Sequence, residues 1–229
     1  MHPVQSASTS WREFARVLGT PRPKRKADAG VFVPAKLPPG PRRQNVVEQI
    51  TALVYDIDNK GCEPPITSEE LIDRLLRRKL SAIVYSTSSH SQAQPRYRLI
   101  VQLNRPLEPS RYKSVAHQFL EPLGLTPFVD RACIDIARCY YLPACTAETE
   151  PEFEHAVTYG TPLDVDSFDI SPAATVEAPG VDAEHSETQG NVAIVREMLQ
   201  LIPADSYATW RQICWSVTSL SWECGPELL

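Results

Sequence analysis

Ala52-Leu53-Val54-Tyr55-Asp56-Ile57-Asp58 is an apolar, partly β-branched run that ends in two acids. It reads as a buried strand over Ala52 to Ile57. Side chains two apart on a strand share a face, so Asp56 and Asp58 project together. Their Cα atoms stand about 6–7 Å apart, close enough for the carboxylates to converge on ions ~3.5–4 Å apart. Two unneutralised acids at the end of an apolar strand are costly unless something cationic sits beside them.

Downstream, Thr67-Ser68-Glu69-Glu70 forms a capping-box pattern: Thr67 caps a helix and Glu70 reaches back. Leu71, Ile72, Leu75 and Leu76 follow at helical spacing, with cations in the last turns. Ala82 to Thr87 reads as a second strand and Ser88 to Pro95 as a polar loop. In Arg96 to Leu103 the pattern alternates. Tyr97, Leu99, Val101 and Leu103 share one face; Arg96, Arg98, Ile100 and Gln102 share the other. Pro109 opens a helix bearing Tyr112, Val115, Ala116, Phe119 and Leu120, which Pro122 and Gly124 stop. Arg138 to Leu142 and Phe153 to Val157 read as further short strands. Strands and helices interleave, but their spacing does not suit a large parallel sheet. The expected fold is α+β, a mixed, mostly antiparallel sheet with packed helices.

Charge is unevenly placed along the 229 residues, whose net charge is -5. Residues 1–45 carry nine Lys/Arg against two Asp/Glu, while residues 146–190 carry eleven Asp/Glu and no Lys/Arg. A basic N-terminus suits polyanion binding. The expected organisation is a basic, Pro-rich, largely disordered arm over 1–44, with a short helix over Trp11 to Leu18; a body over 45–165; an acidic linker over 166–190; and a small helical module over 191–229. In that module Val192 to Ile202 forms one helix and the stretch around Trp210 a second. The chain stops at Glu227-Leu228-Leu229 with no polar tail, the pattern of a piece of a longer protein. No apolar run approaches the ~20 residues of a membrane span, and the N-terminus has no apolar signal core. These features point to an intracellular, cytoplasmic protein. The six cysteines include no CxxC pair, so no zinc is expected.

Two further clusters carry chemistry. Tyr85-Ser86-Thr87-Ser88-Ser89-His90-Ser91, followed by Arg96 and Arg98, is a hydroxyl-rich loop beside two arginines and suits a triphosphate. Val129-Asp130-Arg131, with Asp135 and Arg138 beyond it, offers a third acid after an apolar segment and an arginine at a strand start.

In order and spacing these three clusters resemble the archaeo-eukaryotic primase-polymerase superfamily, in its phage and plasmid branch. There an acidic pair on a strand (here Asp56 and Asp58) precedes a small-residue/histidine motif. A third acid (here Asp130) follows, with an arginine and a short strand. The stretch YSTSSHS…PRYRLIVQLNRP is similar to the version in mobile-element members. Many members carry a histidine on the second motif's strand where this sequence has Arg98, which leaves His90 and Arg98 as alternatives for the nucleotide contact. VREMLQLIPADSYATWRQICWSVTSL resembles the start of the type 2 helical module that follows such primase domains and leads on to a helicase. The resemblance implies an RRM-like catalytic core and DNA-dependent nucleotidyl transfer that makes primers. Asp56, Asp58 and Asp130 would hold two Mg²⁺ or Mn²⁺ ions; Ser88, His90, Arg96, Arg98 and Arg138 would contact nucleotide or DNA. Partners would be nucleoside triphosphates, a single-stranded DNA template and a replicative helicase, with no membrane. The alternative is a non-catalytic DNA-binding initiation protein that keeps the fold.

Overall fold

Alternation in the Arg96 stretch places two different faces on one long strand, and the structure buries both. In a computed structural model, which describes residues 9–23, 25–39, 44–168, 187–202 and a scatter of positions between 211 and 227, the chain divides into two compact units, 1–170 and 171–229.

The first unit is built on five antiparallel strands. β1 (Arg22–Pro23), β2 (Val31–Phe32), β3 (Ala35–Lys36) and β4 (Gln49–Ile57) come first; β5 (Ala82–Ser86), β6 (Tyr97–Leu107), β7 (Tyr140–Tyr141), β8 (Ala144–Cys145) and β9 (His155–Thr158) follow. The sheet order is β3-β4-β6-β5-β9, every neighbouring pair antiparallel. β2 pairs with β7 antiparallel and β1 with β8 parallel, as two small ribbons. This is the α+β class expected from the sequence, with the antiparallel strands predominating.

One face of the sheet carries Leu53, Tyr55, Ile57, Val84, Tyr97, Leu99 and Val101, all essentially buried. α2 (Ser68–Arg77) brings Leu71 and Leu75 onto this face, and α3 (Pro109–Leu120) brings Tyr112, Val115, Ala116 and Phe119. The Tyr55 ring stacks on Phe119 at 5.7 Å, and its hydroxyl donates to the Ala116 carbonyl at 2.9 Å. The α2 cap is half of the expected box. Thr67 Oγ1 accepts from the Glu70 N–H at 3.2 Å, but the Glu70 carboxylate bonds Arg74 one turn on.

The other face carries Ala52, Val54, Ile83, Tyr85 and Ile100, and the N-terminal segment covers it. α1 (Trp11–Leu18), capped by Ser10 Oγ accepting from the Glu13 N–H, buries Ala15 and Leu18 there. Residues 9–23 and 25–39 therefore belong to the body, which departs from the disordered arm expected over 1–44 for its described part. The sheet's second face needed an apolar cover, and the stripe of Trp11, Phe14, Ala15 and Leu18 provides it.

The body also runs past residue 165. Leu163 and Val165 are buried, Asp164 accepts from the Asn104 amide at 2.8 Å, and Asp166 pairs with Arg105 and Arg111. Asp166, expected in the linker, thus neutralises Arg105 of β6 and Arg111 of α3; residues 169–186 lie outside the described set. In the second unit, α4 (Gln189–Leu201) is capped by Thr188. The expected helix around Trp210 falls mostly outside the described residues. Among the described residues no helix is long and apolar enough to cross a membrane.

Candidate functional site

β4 ends where its last side chains meet β6, and this end of the sheet carries the site. Asp56 stands directly opposite Arg98 in the β4–β6 register, and Arg98 opposite Tyr85 in the β5–β6 register. The third acid arrives by backbone pairing. Val129 bridges Ile57 antiparallel, and the Asp130 N–H donates to the Asp56 carbonyl at 2.9 Å. The Asp58 N–H donates to the Phe128 carbonyl at 2.9 Å. The 128–130 segment thus adds itself to the end of β4 and sets Asp130 beside the acidic pair.

These residues line one pocket of about 190 Å³. Its acids are Asp56, Asp58 and Asp130; its cations are Lys26, Arg96, Arg98 and Arg138. Thr87, Ser88 and Ser89 contribute hydroxyls, and Tyr85 and Tyr141 form part of the wall. Residues from three clusters, more than 70 residues apart at their extremes, share this pocket.

Asp56 is the most enclosed of the acids, its side chain 13% exposed. Arg98 Nε donates to its Oδ1 at 2.7 Å, and Arg138 Nη2 to its Oδ2 at 3.3 Å. Arg98 is held on every side. Its Nη1 donates to the Tyr85 hydroxyl at 3.1 Å and to the Tyr141 carbonyl at 2.9 Å, and its guanidinium lies 4.9 Å over the Tyr140 ring. Burial raises the Tyr85 hydroxyl above its ordinary pKa, Arg98 pulling the other way, so it stays protonated and donates onward to the Tyr141 carbonyl at 3.1 Å. Arg138 also donates to the Ala132 carbonyl and lies 3.8 Å from Asp130. Arg96 stands 4.0 Å from Asp58. Asp58 and Asp130 are ion-paired only at long range, Asp130 Oδ1 also accepting from the Ala132 N–H at 3.0 Å, while both oxygens of Asp56 are engaged by arginine. Asp135 turns away to a local role, its Oδ1 accepting from the Ala137 N–H.

His90 does not line the pocket. Its side chain is 4% exposed, and its Nδ1 accepts from the Arg96 N–H at 3.1 Å. Its Nε2 lies 3.3 Å from Glu154 without hydrogen-bond geometry. Of the two alternatives, Arg98 lines the pocket, and His90 ties the β5–β6 loop together through the Arg96 N–H. Ser88, Arg96, Arg98 and Arg138 all line the pocket. Sequence reasoning missed Lys26, which sat in the supposed arm; the Val31-Phe32 pair that docks on β7 was too short a strand signal to reveal it.

Among the described residues no three His, Cys, Asp or Glu side chains stand close enough to hold an ion. The donor chemistry nonetheless suits a hard divalent cation, since Asp58 and Asp130 offer oxygens to a pocket that Asp56 also lines. Asp58 and Asp130 are the carboxylates open to it; Asp56 would join only on release from Arg98 and Arg138.

Fold and site together define an α+β domain with a mixed acidic and basic pocket at one end of an antiparallel sheet. The chain belongs to the VapE N-terminal domain family, whose model matches residues 3–168. That span includes α1 and all five strands of the main sheet. Among solved structures it is similar to the AEP domain of the cyanophage S-2L primase-polymerase, at 12% identity and a TM-score of 0.39. That similarity covers 58% of this chain and 64% of the cyanophage chain, less than two thirds of its length. No curated protein matches the chain. The resemblance read from the sequence, to proteins of the phage and plasmid branch, is in line with the family match.

Proposed function

We propose that this domain is a metal-dependent nucleotidyltransferase that makes primers on single-stranded DNA during replication of a phage, plasmid or other mobile element. The observation that carries this reading is the convergence of Asp56, Asp58 and Asp130 with Arg96, Arg98 and Arg138 in one pocket. Acids alone suit an ion and cations alone suit an anion; the two together suit a metal-bound triphosphate. At about 190 Å³ the pocket falls below the ~300 Å³ of common small-molecule sites. It has room for phosphates, with sugar and base lying outside along the strand.

Asp58 and Asp130, joined by Asp56, would hold Mg²⁺ or Mn²⁺. When bound, such ions neutralise the triphosphate and favour the attacking 3′-hydroxylate. The chain's own groups then act as follows. Arg96 and the Ser88 hydroxyl grip phosphate oxygens at the loop. Arg98 and Arg138 hold Asp56 while the site is empty and turn toward phosphate when it fills. Tyr85 and Tyr140 hold Arg98 beside Asp56 while the site is empty. A helicase acting with this domain fits the same reading.

The experiment is primer synthesis from labelled nucleotides on a single-stranded template with Mg²⁺ or Mn²⁺. Product that depends on Asp130 supports the reading. The second reading, a DNA-binding initiation protein without synthesis, is favoured by the engagement of both Asp56 oxygens by arginine. It predicts template binding, no product, and no nucleotide-dependent uptake of Mn²⁺.

A further inference from the structure

Lys26 enters the pocket from outside the sheet. It begins a short 3-10 turn, Lys26–Asp28, between β1 and β2. Both flanks of that turn are fastened to the strands that wall the pocket. The Arg22 N–H donates to the Pro143 carbonyl at 3.0 Å, and the Leu142 N–H to the Gly30 carbonyl at 3.0 Å. Lys26 Nζ lies over the Tyr141 ring, 5.1 Å from its centroid.

The pocket's cations differ in what already holds them. Arg98 and Arg138 are bonded to Asp56, and Arg96 faces Asp58. Asp28, the acid of the turn itself, is taken by Arg25 at 3.1 Å. Among the described residues no ion pair involves Lys26. An ammonium over an aromatic face is attracted to the ring and keeps N–H donors for another partner. It has also lost part of the freedom a lysine gives up on binding.

We propose that Lys26 is a phosphate-binding residue of this site, that it takes an oxygen of the incoming nucleoside triphosphate, and that Tyr141 positions it. The N-terminal segment thereby completes the pocket as well as covering the sheet. This rests on the nucleotide-binding reading above, but it is tested by binding, without turnover.

The test is equilibrium titration of the full chain with dATP and, separately, with a single-stranded oligonucleotide. Lys26→Ala should weaken dATP binding roughly tenfold, the worth of one charge-assisted hydrogen bond. Lys26→Arg should restore most of it. Tyr141→Ala should weaken dATP binding in the wild-type background and add little to Lys26→Ala, because the ring acts through the ammonium. Lys26 is exposed, so an unchanged urea midpoint should accompany the loss. Equal dATP affinity in wild type and Lys26→Ala overturns this inference and leaves the nucleotide reading standing. Loss confined to the oligonucleotide overturns it in favour of a DNA-backbone contact. A wild-type chain that binds no dATP overturns both.

Discussion

Asp56 and Arg98 face each other across neighbouring strands and bond at 2.7 Å, their side chains 13% and 9% exposed. The residue with the strongest motif signature is thus also half of a buried ion pair. Two consequences follow for any experiment on the site.

Asp56→Ala should cost about 3–5 kcal/mol of stability, because it leaves the buried Arg98 charge uncompensated. Asp56→Asn keeps an acceptor and should cost less. Urea unfolding of both variants checks this, and an alanine variant as stable as wild type would show that the pair is not buried in solution. Lost activity in Asp56→Ala therefore does not by itself report on metal.

Asp130 is the cleaner probe. Its side chain is 36% exposed and its ion pair to Arg138 is long, at 3.8 Å. Asp130→Ala should cost about 1 kcal/mol or less in stability and abolish both primer synthesis and nucleotide-dependent Mn²⁺ binding. Full activity in this variant would remove Asp130 from the metal site.

Leu18 is fully buried under the sheet's second face. Leu18→Ala should destabilise the body by about 2–5 kcal/mol, as for other core leucines. A surface arm would give no change in the thermal midpoint, so calorimetry decides between the two.

Loop order tests His90. Removing its Nδ1 acceptor in His90→Ala frees the Arg96 N–H and loosens the β5–β6 connection. The variant should raise the KM for nucleotide with a smaller effect on kcat, because Ser88 and Arg96 are displaced while Asp130 is not. A fall confined to kcat would instead assign His90 to the chemistry.

His155 on β9 gives a pH dependence. Burial lowers its pKa below the usual histidine value, a bond with the Ala15 backbone opposing this in part. Its Nε2 has no hydrogen-bond partner, and a Cβ on Gly19 would come within 2.7 Å of the ring. Below the unfolded value of ~6.5 the unfolded chain binds the proton more readily than the folded one, so stability falls as pH drops through that range. Unfolding midpoints between pH 7.5 and 5.5 should decline, and His155→Gln should flatten the decline. An unchanged slope in the variant would place the titration elsewhere.

Local pattern determined much of this protein. Alternation over Tyr97 to Leu103, the apolar run into Asp56, and the helical spacing of Leu71 and Leu75 each follow from one short stretch, because strand and helix periodicities are set by the backbone. The acidic pair and the arginines of β6 were legible for the same reason. Tertiary structure decided what local pattern cannot encode. Asp130 reaches the site only because Val129 bridges Ile57, a pairing across more than 70 residues. Asp56 is neutralised because the β4–β6 register sets Arg98 opposite it, and a one-residue slip would have turned Arg98 to the other face. The N-terminal segment looked like a solvated basic arm because its strands are two residues long. It folds because the sheet's second face needed burial, and in folding it carries Lys26 to the pocket.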